Sequence, residues 1–230
     1  MPSDDFMDRA DDEREMTAIA DDIDDLDDAR EFGDDHADEE DTDTVTFASL
    51  GLPEEILAAV TDMGFRVPTP IQAAAIPPLL ELRDVVGIAQ TGTGKTAAFG
   101  LPLLAIVDAD ERNVQALGLA PELAMQSAQA IEDFAARTAR LDVVPVYGGS
   151  PYGPQIGALK RGAQVVVGTP GRVIDLIEKG ALDLSHVRML VLDEADEMLR
   201  MGFAEDVETI ASSAPDDRLT ALFSATMPAA

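Results

Sequence analysis

Val85-Val86-Gly87-Ile88-Ala89-Gln90-Thr91-Gly92-Thr93-Gly94-Lys95-Thr96 decides the fold. An apolar, β-branched run enters a glycine-rich turn, and a Lys-Thr pair then opens an apolar stretch suited to a helix. Buried strand, turn and helix in that order are the context a phosphate loop needs. Gly92 and Gly94 permit positive-φ backbone, so successive N–H groups can point at phosphate oxygens. The start of the following helix adds partial positive charge. Residues 89–96 therefore read as a cradle for ATP or a close relative of it. Lys95 reaches the β- and γ-phosphates, and the Thr96 hydroxyl ligates Mg2+.

Working outward, apolar runs alternate with amphipathic stretches. The predicted strands are 85–89, 116–120, 143–146, 165–168, 189–192 and 220–223, and the predicted helices between them are 95–107, 122–137, 154–161, 171–178 and 196–211. Buried strands separated by helices predict an α/β fold, with a mostly parallel central sheet covered by helices on both faces. Ligands of such sheets bind at the carboxyl ends of the strands. Upstream, a helix is predicted from Pro53 to a stop at Gly64, and another from the rigid turn Pro68-Thr69-Pro70 through Leu80.

The net charge is −29, with three Lys against 13 Arg. Residues 1–44 hold 21 acidic residues and three Arg, a net −18, and read as a disordered acidic tail before a domain spanning 45–230. Met16, Ile19, Ile23 and Leu26 recur at 3-4-3 spacing and allow a short helix within it. Acid-rich, lysine-poor surfaces suit concentrated salt, where repulsion is screened over short distances, so a halophilic source is expected. No cysteine is present, which excludes disulfides and thiolate metal sites and fits a reducing, cytoplasmic setting. His36 and His186 lack any ligand spacing. No stretch reads as a signal peptide or membrane span, so no membrane partner is expected.

Asp193-Glu194-Ala195-Asp196 closes the run Met189-Leu190-Val191-Leu192. Alone, such a tetrapeptide in an acidic protein reads as a solvated helix start. Paired with a phosphate loop, Asp193 is where a Mg2+ ligand belongs, and Glu194 can orient the attacking water or accept its proton. Lys95, Asp193 and Glu194 are thus the candidate catalytic set.

Together these two motifs resemble the DEAD-box family of ATP-dependent RNA helicases, over about residues 47–228. Gly64-Phe65-Arg66-Val67-Pro68-Thr69-Pro70-Ile71-Gln72 is similar to the family's adenine-reading segment, with Phe47 at the family's distance before Gly64. The resemblance implies a RecA-like P-loop domain in which Gln72 makes a bidentate contact with adenine and Phe47 stacks on or near the base. Tyr147-Gly148-Gly149 and Thr169-Pro170-Gly171-Arg172 resemble the family's RNA-backbone motifs, whose N–H, hydroxyl and guanidinium groups position a strand without reading bases. Ser224-Ala225-Thr226 resembles the motif coupling hydrolysis to strand separation, through a hydrogen bond toward Asp196.

The sequence departs from the family pattern twice. Where the family has Pro-Thr-Arg-Glu-Leu-Ala, this chain has Pro121-Glu122-Leu123-Ala124, so a hydroxyl and a guanidinium are missing and weakened RNA binding is expected. Residues 1–230 do not include the second RecA-like domain, which the resemblance implies as partner and source of arginine fingers in a longer protein, so near-background ATPase is expected from these residues alone. A truncated nucleotide-binding or interaction module without helicase activity is the competing reading. A DNA-translocating helicase would share the phosphate loop and acidic box, but the Phe47 and Gln72 segment points away from it.

Overall fold

Strands form where Val, Ile, Leu and Ala run unbroken, because a strand covered on both faces needs no polar alternation. The computed structural model describes residues 17–20, 45–122, 124–137 and 141–226. Its strands are β1 (Thr17–Ala20), β2 (Val85–Ile88), β3 (Ala116–Leu119), β4 (Val143–Val146), β5 (Val165–Gly168), β6 (Met189–Leu192) and β7 (Leu219–Ser224). They build one sheet in the order β1-β2-β7-β6-β3-β5-β4, with every pairing parallel. The helices are α1 (Glu54–Asp62), α2 (Pro70–Leu80), α3 (Lys95–Ile106), α4 (Ala124–Phe134), α5 (Tyr152–Lys160), α6 (Pro170–Glu178), α7 (Ala195–Arg200) and α8 (Ala204–Ser212), with short 3-10 turns at Phe47–Leu50 and Ala135–Arg137.

The two-residue period of each strand divides the core into two layers. Ala116, Val165, Met189, Val191 and Phe223 pack with Ile71, Phe99, Leu101 and Ile131 of α2, α3 and α4. Their neighbours Leu117, Val166 and Leu190 face the other way, onto Val173, Leu176, Met198 and Ile210 of α6, α7 and α8.

The six expected strands and the parallel sheet are observed, with ends within a residue or two of expectation. Two elements differ. The helix expected over 196–211 is two helices, because Gly202 turns left-handed at φ 83° and Phe203 N–H bonds back to Met198 O at 2.9 Å. Thr17–Ala20, inside the expected acidic tail, pairs in parallel with β2 from Thr17 against Val85 to Ala20 against Ile88. Ile19 is therefore in a strand and not a helix. The other residues of the expected tail helix, Met16, Ile23 and Leu26, lie outside the described residues, as does the rest of 1–44.

Candidate nucleotide and RNA-backbone sites

The phosphate loop leaves β2 at Ala89, whose N–H is fixed to Ser224 O of β7 at 2.9 Å. Gly92 and Gly94 take φ of 87° and 91°, the left-handed region expected of them. Thr93 Oγ1 donates to Gln90 O at 2.7 Å and braces the turn. No side chain caps the start of α3 and no acidic residue occupies its first turn. Its N-terminal dipole thus faces the cleft uncompensated. Lys95 is 6% exposed, and its Nζ is buried without a hydrogen-bond partner. An orphaned buried ammonium is costly unless an anion completes it. The loop therefore fits a phosphate group on chemistry as well as on shape.

A cleft of about 380 Å³ joins Thr91, Gly92, Gly94, Lys95 and Thr96 to Asp193 and Glu194. Sequence reasoning missed the α4 wall of this cleft, Gln126, Ser127 and Ala130, because nothing in their local pattern marks them. Asp193 accepts a hydrogen bond from Glu194 N–H at 3.0 Å. Burial pushes its carboxyl up to about 6, against the opposing charge of Lys95 and with the like charge of Glu194 adding to the rise. Glu194 itself sits at φ 54°, ψ 47°, a conformation that costs a non-glycine residue about 1–2 kcal/mol. Strain of this kind collects at functional sites.

Asp196 accepts from Thr226 Oγ1 at 2.8 Å. Burial would raise its pKa, but hydrogen bonds from Thr226, Ser224 and the backbone of Ala225 and Glu197 hold it below the usual carboxylate range. The hydrogen bond expected between the segment after β7 and the acidic box is thus present. Asp196 and Ala225 line a neighbouring cleft with Thr91, Lys95 and Glu194.

Gln72 is 2% exposed and uses both ends of its amide. Oε1 accepts from Thr69 N–H at 2.9 Å at the start of α2, and Nε2 donates to Gly94 O at 3.1 Å. The amide expected to read adenine therefore ties α2 to the phosphate loop. Phe47 is packed within the protein. Its ring is 3% exposed and packs edge-on against Phe65, which in turn meets Phe134. In this arrangement the ring supports the segment carrying Gln72.

The loops expected to hold RNA follow β4 and β5. Gly148, Gly149 and Gly171 are exposed, and Gly149 takes φ 78°. Pro170 opens α6 with Thr169 before it as N-cap. Thr169, Gly148, Gly171 and Arg172 line one open cleft with Pro121 and Glu122. The Arg172 guanidinium is turned inward: Nη1 donates to Ser150 O and to Gln155 Oε1, each at 3.0 Å. Glu122 is exposed and borders both this cleft and the one beside Lys95. A carboxylate thus directly follows Pro121 at the edge of both clefts.

A parallel sheet with a phosphate loop after one strand and an acidic box closing another defines a RecA-like P-loop domain. The DEAD/DEAH box helicase family profile matches residues 69–230, and the chain belongs to that family. It is 58% identical to an ATP-dependent RNA helicase DeaD of Haemophilus influenzae over 81% of the chain and 31% of that protein. It is 57% identical to one of Mycobacterium tuberculosis over 80% of the chain and 33% of that protein. Among solved structures, a DEAD box protein from the hyperthermophile Methanococcus jannaschii aligns with TM-score 0.76 and 45% identity, over 80% of this chain and half of that one. The chain spans about a third of the length of the relatives it matches. Among the described residues no helix is long and apolar enough to cross a membrane.

Proposed function

We propose that this chain is the ATP-binding, first RecA-like domain of an ATP-dependent RNA helicase, which couples ATP hydrolysis to unpairing of RNA when joined to a second such domain. The carrying observation is the order of motifs along the carboxyl edge of the sheet. The phosphate loop, Ser224-Ala225-Thr226 and Asp193-Glu194 follow neighbouring strands β2, β7 and β6, while Pro121, Thr169 and Gly148 follow β3, β5 and β4. One half of the edge carries groups suited to a triphosphate, and the other carries backbone donors suited to a nucleic-acid backbone.

In this reading Lys95 and the N–H groups of residues 90–96 bind the phosphates, and Gln72 exchanges Gly94 O for the adenine edge. Glu194 orients the water that attacks the γ-phosphorus and takes up its proton. Mg2+, held by Thr96 and Asp193, would neutralise charge developing on the phosphates. Asp196 and Thr226 carry the state of the phosphate site to the segment leaving β7. Gly148, Gly149, Thr169, Pro170 and Gly171 hold RNA backbone. The greater length of the relatives supports a second RecA-like domain in the complete protein, and the lack of cysteine fits a cytoplasmic setting. The exposed carboxylate of Glu122 favours one competing reading, a nucleotide-binding module with little RNA affinity.

Lys95→Ala tests the assignment directly. It is expected to weaken binding of a fluorescent ATP analogue by about a hundred-fold or more, since a buried charge-assisted contact is lost. Affinity within about two-fold of the parent chain would overturn the nucleotide reading.

A further inference from the structure

Gln155 lies on α5, in a segment to which no motif gives a role, yet it is only 5% exposed. Its amide is bonded at both ends. Nε2 donates to Tyr147 O at 3.2 Å, and Oε1 accepts from Arg172 Nη1 at 3.0 Å. The same Nη1 donates to Ser150 O. The loop after β4 is therefore held at Tyr147 by Gln155 and at Ser150 by Arg172, with Gly148 and Gly149 spanning the two anchors. Arg172 stands in the first turn of α6, directly after β5, so one glutamine links the β4 loop to the β5–α6 junction.

The guanidinium in this link is itself immobilised. It stacks over the Tyr152 ring, 4.2 Å from the centroid, and its Nε lies 4.0 Å from Asp175. Tyr152 and Lys179 both hydrogen-bond Asp175. The Arg172 side chain is 9% exposed. With the guanidinium engaged by Ser150 O, Gln155, Tyr152 and Asp175, its inward turn ties together the backbone around it.

We propose that Gln155 is a positioning residue for nucleic-acid backbone: through Tyr147 O and Arg172 it fixes the separation of the Gly148-Gly149 loop from Thr169–Gly171 at the start of α6. This rests on the reading of those segments as the RNA track. The sugar-phosphate chain limits the distance between successive phosphates, so two sets of N–H donors grip one strand more tightly when their separation is held in advance. The position needs a donor and an acceptor in one side chain. A glutamate keeps the acceptor for Arg172 but sets a carboxylate against Tyr147 O, and leucine supplies neither.

The test uses the full 230-residue chain with a fluorescent oligouridine at low salt, and a fluorescent ATP analogue in parallel. Gln155→Leu is expected to raise the RNA Kd about ten-fold, by leaving buried polar groups unpaired, with ATP affinity changed less than about two-fold. Gln155→Glu, which keeps the bond to Arg172, is expected to fall between, and serves alone if the leucine variant does not fold. Combined with Arg172→Lys, Gln155→Leu is expected to cost less than the two single changes multiplied, because both break one link. Equal RNA affinity of parent and Gln155 variants would overturn the positioning role while leaving the RNA track intact. Parallel loss of RNA and ATP binding would also overturn it, making Gln155 a folding residue. No RNA binding by the parent chain would instead remove the RNA reading, and this proposal with it.

Discussion

Burial pushes the Asp193 carboxyl up to about 6, with Lys95 opposing the rise and Glu194 adding to it. In the unfolded chain an Asp titrates near ~4. Between those values the folded protein binds the extra proton, so stability falls as pH rises through the window, and the full cost persists above it. Nucleotide binding has the opposite sign, because a carboxylate must be ionised to hold Mg2+, so Mg2+-dependent ATP affinity is expected to fall as pH drops below about 6. Asp193→Asn separates the two effects. It is expected to raise the melting temperature of the nucleotide-free chain at neutral pH and flatten its pH profile, while losing the Mg2+-dependent part of ATP affinity. Melting scans across pH and calorimetric titration check this; a lower melting temperature at neutral pH would show that the carboxylate stabilises the fold and contradict the assignment. At this scale the sequence is legible where the partners are neighbours in the chain. Residues 89–96 and 193–196 are each a continuous motif. Gln155 was not legible, because its partners Tyr147 and Arg172 lie eight and 17 positions away. The contact of Phe47 with Phe65 was not legible for the same reason: it depends on how α1 folds back between them.

Between elements, apolar patterning locates strands and helices but passes over a short break with no proline to mark it. Met198 and Ile210 are buried in one cluster with Val207 packed against it, although in one continuous helix Met198 and Val207 would point to opposite sides. The chain instead closes α7 at Gly202 and restarts as α8, which lets both helices lie on the same layer of the core. A Cβ at Gly202 would meet nothing within 4 Å, so the cost of substitution is confined to the φ of 83°. Gly202→Ala is expected to cost about 1–2 kcal/mol, or about 2–8 °C in melting temperature for a domain of this size. Gly202→Asn is expected to lose less, since asparagine tolerates that conformation better. An alanine variant melting with the parent would mean that the turn relaxes freely and that α7 and α8 behave as one helix. β1 escaped pattern reading for a different reason. Four residues embedded among aspartates and glutamates give no strand signal of their own, and their pairing is set by the edge that β2 offers.

Over the whole molecule the balance of charge acts on every element at once. The chain carries −29, of which −18 belongs to residues 1–44 and −11 to the rest. Only 16 cationic side chains are available to compensate. Ion pairs such as Arg83–Glu81 and Arg112–Asp142 are half-exposed, and pairs of that kind contribute little. Self-repulsion therefore acts across the molecular surface, and salt is what weakens it. The screening length is about 10 Å at 0.1 M salt and about 3 Å at 1 M, below the spacing of most surface charges. The melting temperature is accordingly expected to rise by several degrees between about 0.1 M and 1 M potassium chloride. Removing residues 1–44 takes away most of the net charge but also β1 from the edge of β2. If repulsion governs, the shortened chain gains stability at low salt and responds less steeply to added salt. If pairing of β1 governs, it melts lower at every salt concentration and keeps the parent's slope. Parallel melting curves of the two chains distinguish these outcomes, and a parent chain insensitive to salt would refute the account of its acidity as an adaptation to concentrated salt.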